Sequence, residues 1–336
     1  MDVETESTTS LSTNTPVEEV FERSLRPKNF SEVIGRVLEK ENLKIMIDSA
    51  KKRKKALDHI LFYGPPGLGK TSFAHVIANE FGSNIYVTNG SLITKVSDIA
   101  SILTAQEEHS ILFIDEIHRL KPQIEEVLYP AMEDNMLDIL IGKGSSAKTL
   151  RIELPKITII GATTKLAMLS MPFRERFGLI MRLDFYSIDE LVEIIMQKAD
   201  MLGTNISVEQ AWQIAKRARM TSRVAIRILK RARDIAIFRN LNEITKEVVD
   251  EVMYLLAIDK HGLDDLDRSL IKSIYNNFNN KPVGLNSLSA SLSEDQDTVE
   301  NVHEPYLLKI GIINRTPKGR VLTDKGVKIA LELLKL

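Results

Sequence analysis

The run Gly64-Pro65-Pro66-Gly67-Leu68-Gly69-Lys70-Thr71 constrains this chain more than any other stretch. Its spacing is G-x-x-x-x-G-K-T. The apolar segment His59–Tyr63 before it predicts a buried strand, and Ser72–Ala78 after it is apolar at helical spacing. Strand, glycine-rich turn and helix together form the frame of a phosphate-binding loop. Gly64, Gly67 and Gly69 can take backbone angles closed to residues with a side chain, so successive N–H groups turn inward around a polyphosphate. The start of the following helix adds partial positive charge. Lys70 is expected to reach the β- and γ-phosphates and Thr71 to ligate Mg²⁺. A nucleoside triphosphate is the implied ligand.

Composition narrows the remaining possibilities. A chain of 336 residues has room for two or three domains, and 43% hydrophobic with 27% charged residues is ordinary for a globular protein. No apolar run approaches the roughly 20 residues that span a bilayer. Residues 1–22, acidic and rich in Ser and Thr at the start, read as a disordered tail and not as a secretory signal. With no cysteine, disulfides and thiolate chemistry are excluded, and a cytoplasmic location is expected. The 45 basic and 46 acidic side chains nearly cancel, so a nucleic-acid partner has to be argued from local clustering.

Downstream of the loop, Ser110-Ile111-Leu112-Phe113-Ile114-Asp115-Glu116 reads as a buried parallel strand delivering two carboxylates at its C-terminal edge. Asp115 is the expected Mg²⁺ residue and Glu116 the residue that polarises the attacking water. Ile157–Thr164 is a second such strand, ending in hydroxyls at the same edge, and Arg174 and Arg176 precede a further strand from Leu179. Strands alternating with helices predict an α/β parallel-sheet domain over residues 23–183. Amphipathic helices alone then predict a small all-α lid over 184–257, with Trp212 in its core. Three helices and a short hairpin predict a winged helix over 258–336. Between Pro305 and Lys328 the bases Lys309, Arg315, Lys318, Arg320, Lys325 and Lys328 face one acid, Asp324. Arginines at an exposed hairpin tip suit DNA-phosphate contacts. The run Lys51–Lys55 reads as a solvated helix end.

These stretches resemble the RuvB family of AAA+ ATPases, which drive branch migration of Holliday junctions. Besides the phosphate loop, the resemblance is carried by Leu25-Arg26-Pro27-Lys28, Asp115-Glu116-Ile117-His118-Arg119-Leu120, Glu126–Asp134, Leu137-Asp138-Ile139, Gly161-Ala162-Thr163-Thr164, Pro282–Leu285, Glu304-Pro305-Tyr306-Leu307 and Arg315–Arg320. It runs from about Leu25 to Gly326. It implies an ATP-hydrolysing DNA translocase that uses Mg²⁺ and acts in recombination and repair. It further implies a hexameric ring on duplex DNA at four-way junctions, a RuvA-like junction-binding partner and a RuvC-like resolvase. Residue by residue, Leu25, Arg26 and Tyr186 would line the adenine site, and Gly67, Lys70, Thr71 and Ser72 the phosphates. Thr164 would sense the γ-phosphate, Arg223 would be the second sensor, and Arg176 the arginine finger. Glu133, Asp134 and Asn135 match an ATP-contacting segment. Arg315 and Arg320 match DNA contacts, with Lys318 beside them, and Ile139, Leu140 and Ile141 match the partner-docking hairpin.

Three departures stand out. Met220-Thr221-Ser222 replaces the family's Gly-Thr-Pro before Arg223, Ile226 replaces an asparagine, and Gln296 replaces a DNA-contacting arginine. Met and Ser are not expected to reproduce the Gly/Pro backbone. Read without the resemblance, the residues also suit a nucleotide-gated DNA-binding switch, which would hydrolyse once per loading event instead of turning over continuously.

Overall fold

Short apolar runs account for the strands of the computed structural model, which describes residues 25–141 and 148–335. In chain order they are β1 (Ile60–Tyr63), β2 (Ile85–Asn89), β3 (Ile111–Asp115), β4 (Met136–Ile141), β5 (Lys148–Glu153), β6 (Thr158–Thr163) and β7 (Leu179–Arg182). Five of them form one sheet in the order β2-β3-β6-β1-β7, and every neighbouring pair is parallel. The inner strands are buried on both faces, which is why β6 reads Thr-Ile-Ile-Gly-Ala-Thr without polar alternation. Helices α1 (Val37–Arg53), α2 (Lys70–Phe81), α3 (Val96–Thr104), α4 (Pro122–Glu133) and α5 (Met171–Glu175) accompany the sheet. Because β6 lies between β1 and β3, the loop after β6 sits between the phosphate loop and the two carboxylates.

Strands β4 and β5 leave the sheet as an antiparallel hairpin, with Ile139 opposite Leu150. Leu137 is buried and Ile139 is half-buried against the sheet's core, so the base of the hairpin is anchored. The side chains of Leu140 and Ile141 lie outside the described residues, as does the tail expected over residues 1–22.

The helical lid follows. Ser187 accepts the N–H of Glu190 while the Glu190 carboxylate accepts the N–H of Ser187, a reciprocal cap that starts α6 (Ile188–Met201). The other lid helices are α7 (Val208–Arg217), α8 (Ser222–Phe238) and α9 (Lys246–Leu255), tied by a two-residue parallel ribbon, β8 (Asn205–Ile206) with β9 (Glu243–Ile244). One apolar core runs from Leu43, Phe62 and Phe73 into Ile195, Ile214 and Leu229, so lid and sheet share it. Trp212 is only half-buried, against expectation: Lys216 lies 3.5 Å from its ring centroid and covers the indole as a solvated cation.

The C-terminal unit comprises α10 (Asp265–Lys272), α11 (Leu285–Leu292), α12 (Gln296–Thr298), α13 (Glu304–Lys309), the hairpin β10 (Ile313–Thr316) with β11 (Gly319–Leu322), and α14 (Asp324–Leu334). Its core is separate, and Met220 of the lid packs against it. A polar joint ties the two units. The Arg219 guanidinium donates to Asp264 at 2.6 Å and stands 3.1 Å from Asp267, and Asp267 also meets His303 Nδ1 at 2.7 Å. Asp267 is fully buried, and that burial raises its carboxyl above the usual range against the pull of His303 and Arg219. Asp267→Ala leaves Arg219 with Asp264 but deprives the buried His303 Nδ1 of its close partner, and is expected to cost about 1–3 kcal/mol. A denaturation midpoint unchanged from the parent protein would contradict this.

Candidate active site

Steric demands explain the glycines of the phosphate loop. Gly64 has φ 143°, and a Cβ there would lie 2.2 Å from the Leu183 carbonyl oxygen. Gly67, at φ 78°, faces the lid, where a Cβ would come within 3.0 Å of Arg223 Cβ. Lys70 opens α2 and is buried, its ammonium donating to the carbonyls of Gly64 at 2.8 Å and Pro65 at 2.9 Å. Burial lowers its pKa to about 8, with Asp115 and Glu116 pulling the other way, so it keeps its proton at neutral pH. An incoming polyphosphate can take over those carbonyl contacts.

The second half of the site is the C-terminal edge of β3. Asp115 Oδ1 accepts the N–H of Glu116 at 3.0 Å. Glu116 has left-handed angles, φ 48° and ψ 44°, a strain of about 1–3 kcal/mol for a residue with a side chain. Gly90 packs beneath it so closely that a Cβ would lie 2.5 Å from the Glu116 carbonyl oxygen. The left-handed turn swings the Glu116 carboxylate towards Thr164 Oγ1, 3.5 Å away, and His118 Nε2, 3.3 Å away. Burial, then Asp115, raises the Glu116 carboxyl above its ordinary value, opposed by Lys70 and Arg119. A half-buried carboxylate of raised proton affinity is suited to taking a proton from water.

The lid completes the pocket. A cavity of about 590 Å³ is lined by Leu25, Arg26, Gly67, Lys70, Thr71, Ser72, Asp115, Glu116, Tyr186 and Arg223. Thr71 and Asp115 thus present hard oxygen donors to one space, a set that fits Mg²⁺. Arg223 N–H and Ser222 Oγ both donate to the Gly67 carbonyl, at 3.3 Å and 3.1 Å. Lid and phosphate loop are therefore bonded directly. Tyr186 is buried with Arg36 4.4 Å above its ring centroid.

The backbone expected to be out of reach for Met220 is formed: its φ is 56°. A left-handed residue with a side chain costs about 1–2 kcal/mol. Packing of the Met220 side chain against the winged-helix core offsets it. Ser222 substitutes for a proline at the helix start by donating its hydroxyl to Gly67.

Five of the expected nucleotide residues, Glu133, Asp134, Asn135, Thr164 and Arg176, do not line the cavity. Thr164 stays beside it through its contact with Glu116. Arg176 and Asn135 line a second cavity of about 520 Å³. The Arg176 guanidinium stands 3.2 Å from Glu133 and 4.2 Å from the Tyr129 ring centroid, and donates to the Pro172 carbonyl at 2.7 Å.

The wing requires a correction. Arg315 and Arg320 are not free at a hairpin tip. They face each other across β10 and β11, and both grip Glu304: Nε of Arg315 at 2.7 Å and Nε of Arg320 at 2.9 Å from Oε1. Glu304 is 1% exposed, and its carboxyl is held below the usual range by these arginines in spite of burial. Arg320 is 13% exposed at its side chain and Arg315 49%, so Arg315 retains surface while Arg320 braces the hairpin. Lys318, at the turn, is exposed. His118, Ser222 and Lys165 were missed as site residues. For His118 the signal lies in the Asp115–Leu120 stretch that carries the resemblance.

Sheet order, phosphate loop, strand-end carboxylates and a helical lid bonded to the loop define a P-loop ATPase of the AAA+ class carrying a winged helix. The chain belongs to the RuvB family. Residues 25–183 match the Holliday junction DNA helicase RuvB P-loop domain, 186–259 the RuvB AAA lid domain, and 260–330 the RuvB C-terminal winged helix domain. It is 51% identical over 311 residues to the Holliday junction branch migration complex subunit RuvB of Fusobacterium nucleatum subsp. nucleatum, covering 93% of this chain and 94% of that one. The solved structure of the Thermotoga maritima RuvB Holliday junction branch migration motor matches at TM-score 0.83 and 44% identity, over 91% of this chain and 98% of that one. A single-residue mutant of the same motor matches at TM-score 0.84. Among the described residues no helix is long and apolar enough to cross a membrane.

Proposed function

We propose that this chain is an ATP-driven motor that moves the branch point of Holliday junctions, hydrolysing ATP to ADP and phosphate. The observation that carries the reading is the double attachment of the lid. At the Gly67 carbonyl the lid is bonded to the nucleotide loop, and at Arg219 and Met220 to the winged helix. Any change in the lid that follows the nucleotide state is thereby delivered to the domain that would hold DNA.

In the reaction, Glu116 orients a water and accepts its proton as the water oxygen bonds to the γ-phosphorus. The bond from that phosphorus to the β–γ bridging oxygen breaks, and ADP leaves. Lys70 and the loop N–H groups hold the phosphates, Thr164 faces the γ-phosphate, and Arg223 reaches in from the lid. Thr71 and Asp115 would hold Mg²⁺, which when bound neutralises charge on the phosphate oxygens. Arg176, outside its own cavity, serves a neighbouring subunit, with Glu133, Asp134 and Asn135 beside it, which calls for a head-to-tail hexameric ring. The ring encircles duplex DNA in the cytoplasm. A RuvA-like protein docks on the β4–β5 hairpin around Ile139, Leu140 and Ile141, and a RuvC-like resolvase acts on the moved junction.

Incubation with a synthetic four-way junction, ATP and Mg²⁺, with and without the RuvA-like partner, is expected to release separated duplex arms. Continuous turnover without arm release would instead fit a DNA-gated switch. On the wing, Arg315→Ala with Lys318→Ala is expected to lower DNA affinity with little regard to sequence, and to flatten the salt slope by about two units. An unchanged slope would remove the wing from the contact surface. Arg320→Ala is expected to act through wing stability, because it leaves Glu304 short of a partner.

A further inference from the structure

His118 stands between the strand-end carboxylates and the loop after β6. It is buried, with Nε2 3.3 Å from Glu116 Oε2 and Nδ1 2.9 Å from Thr163 Oγ1. Thr163 is fully buried, and its Oγ1 also accepts the backbone N–H of Lys165 at 2.9 Å. Chemistry sets the direction of these bonds. A ring nitrogen facing a carboxylate has to carry the proton, since two lone pairs cannot face each other; in a neutral imidazole Nδ1 is then the acceptor and the Thr163 hydroxyl its donor. The contacts run from the Lys165 N–H, donated to Thr163, through the Thr163–His118 hydrogen bond, to the 3.3 Å approach of His118 Nε2 to Glu116 Oε2.

Both contacts to the Glu116 carboxylate, from His118 and from Thr164, fall on Oε2. Among the described residues Oε1 carries no such bond. One oxygen is anchored and the other is left for the water. At the far end, the Lys165 side chain leaves the sheet altogether: its Nζ lies 2.9 Å from Asp297 Oδ1 on α12 of the winged helix. Asp297 directly follows Gln296, where the family resemblance places a DNA contact. A line of direct contacts therefore joins the surface expected to meet DNA to the carboxylate expected to activate water.

We propose that His118 is the positioning residue that sets the orientation of the Glu116 carboxylate, and that the Lys165–Asp297 contact makes this orientation depend on the seating of the winged helix. The inference rests on Glu116 being the residue that orients water. When the winged helix shifts on DNA, the Lys165 side chain is held or released; its backbone N–H shares the turn with Thr163 and Thr164, so the anchoring of Oε2 shifts with it.

The test uses the full chain at saturating four-way junction and ATP, with nucleotide affinity followed by a fluorescent ATP analogue. His118→Ala is expected to lower kcat about 10–100-fold, the scale of a misplaced catalytic group, with nucleotide affinity kept within about twofold. His118→Gln, whose amide N–H can stand in for Nε2–H, is expected to recover most of that loss. Asp297→Asn is expected to lower the ratio of junction-stimulated to basal turnover, and to lower it no further when His118 is already alanine. Unchanged kcat in His118→Ala, no recovery with glutamine, or independent effects of the two changes would each overturn the proposal. Glu116→Gln runs alongside: if it still turns over, the assignment of Glu116 has failed. If it is inactive while His118→Ala is not, only the positioning role has failed.

Discussion

Glu116→Gln is expected to keep nucleotide binding and to lose turnover by about 10²–10⁴-fold, the usual weight of a general base. Glutamine fills the same volume at the edge of β3, and the phosphate contacts are expected from Gly67, Lys70 and the loop backbone on the other side of β6. What disappears is the proton acceptor. The substitution also removes a like charge beside Asp115, one of the two influences that raise the Glu116 carboxyl, so nucleotide affinity has no electrostatic reason to fall. The same raised pKa gives the parent protein a pH signature. Turnover is expected above the Glu116 pKa and is expected to be lost as pH falls through it, on an acid limb above that of an ordinary glutamate. Phosphate release and fluorescent-nucleotide binding, measured together across pH, check both statements. Undiminished hydrolysis in the variant would reject Glu116 as the base.

What could be read from the sequence was local in the chain. The phosphate loop is a strand, a turn and a helix in one continuous stretch, and Asp115-Glu116 ends a strand whose apolarity announces that it is central. Both need only short-range rules. The wing shows where such reading stops. A charge count begun at Pro305 misses Glu304 by one residue, and Glu304 is the acid that both arginines grip. Glu300, 3.4 Å from Arg315, is missed in the same way. A window along the chain cannot see that α13 and the hairpin fold onto each other.

Met220 illustrates the converse error. Steric preference argued against a left-handed methionine, but the side chain has an apolar site waiting in the next domain, and packing overrides local preference. His118 went unread for a related reason. A lone histidine after a strand has no ligand spacing, and its meaning comes from Thr163, supplied by the neighbouring strand β6.

Arg176→Ala is expected to cut hydrolysis by about 10³–10⁵-fold, the weight of an arginine finger, while leaving nucleotide affinity nearly intact. A residue lining the cavity of its own chain would lower binding when removed, whereas Arg176 lines a different cavity from Lys70. Tyr129 beneath the guanidinium and Glu133 beside it hold the partly exposed group at the second cavity, away from the nucleotide cavity of its own chain. Lys70→Ala fails for the complementary reason, since it removes the cradle and keeps the finger. Mixed in equal amounts, the two inactive proteins are expected to regain activity. In a randomly assembled ring, about a quarter of the interfaces pair an intact loop from one variant with an intact finger from the other. Regain that rises and falls with mixing ratio, peaking near equality, is the signature of a site built from two chains. If no ratio restores hydrolysis although both variants assemble with each other, Arg176 does not act across the interface, and the ring loses its chemical justification.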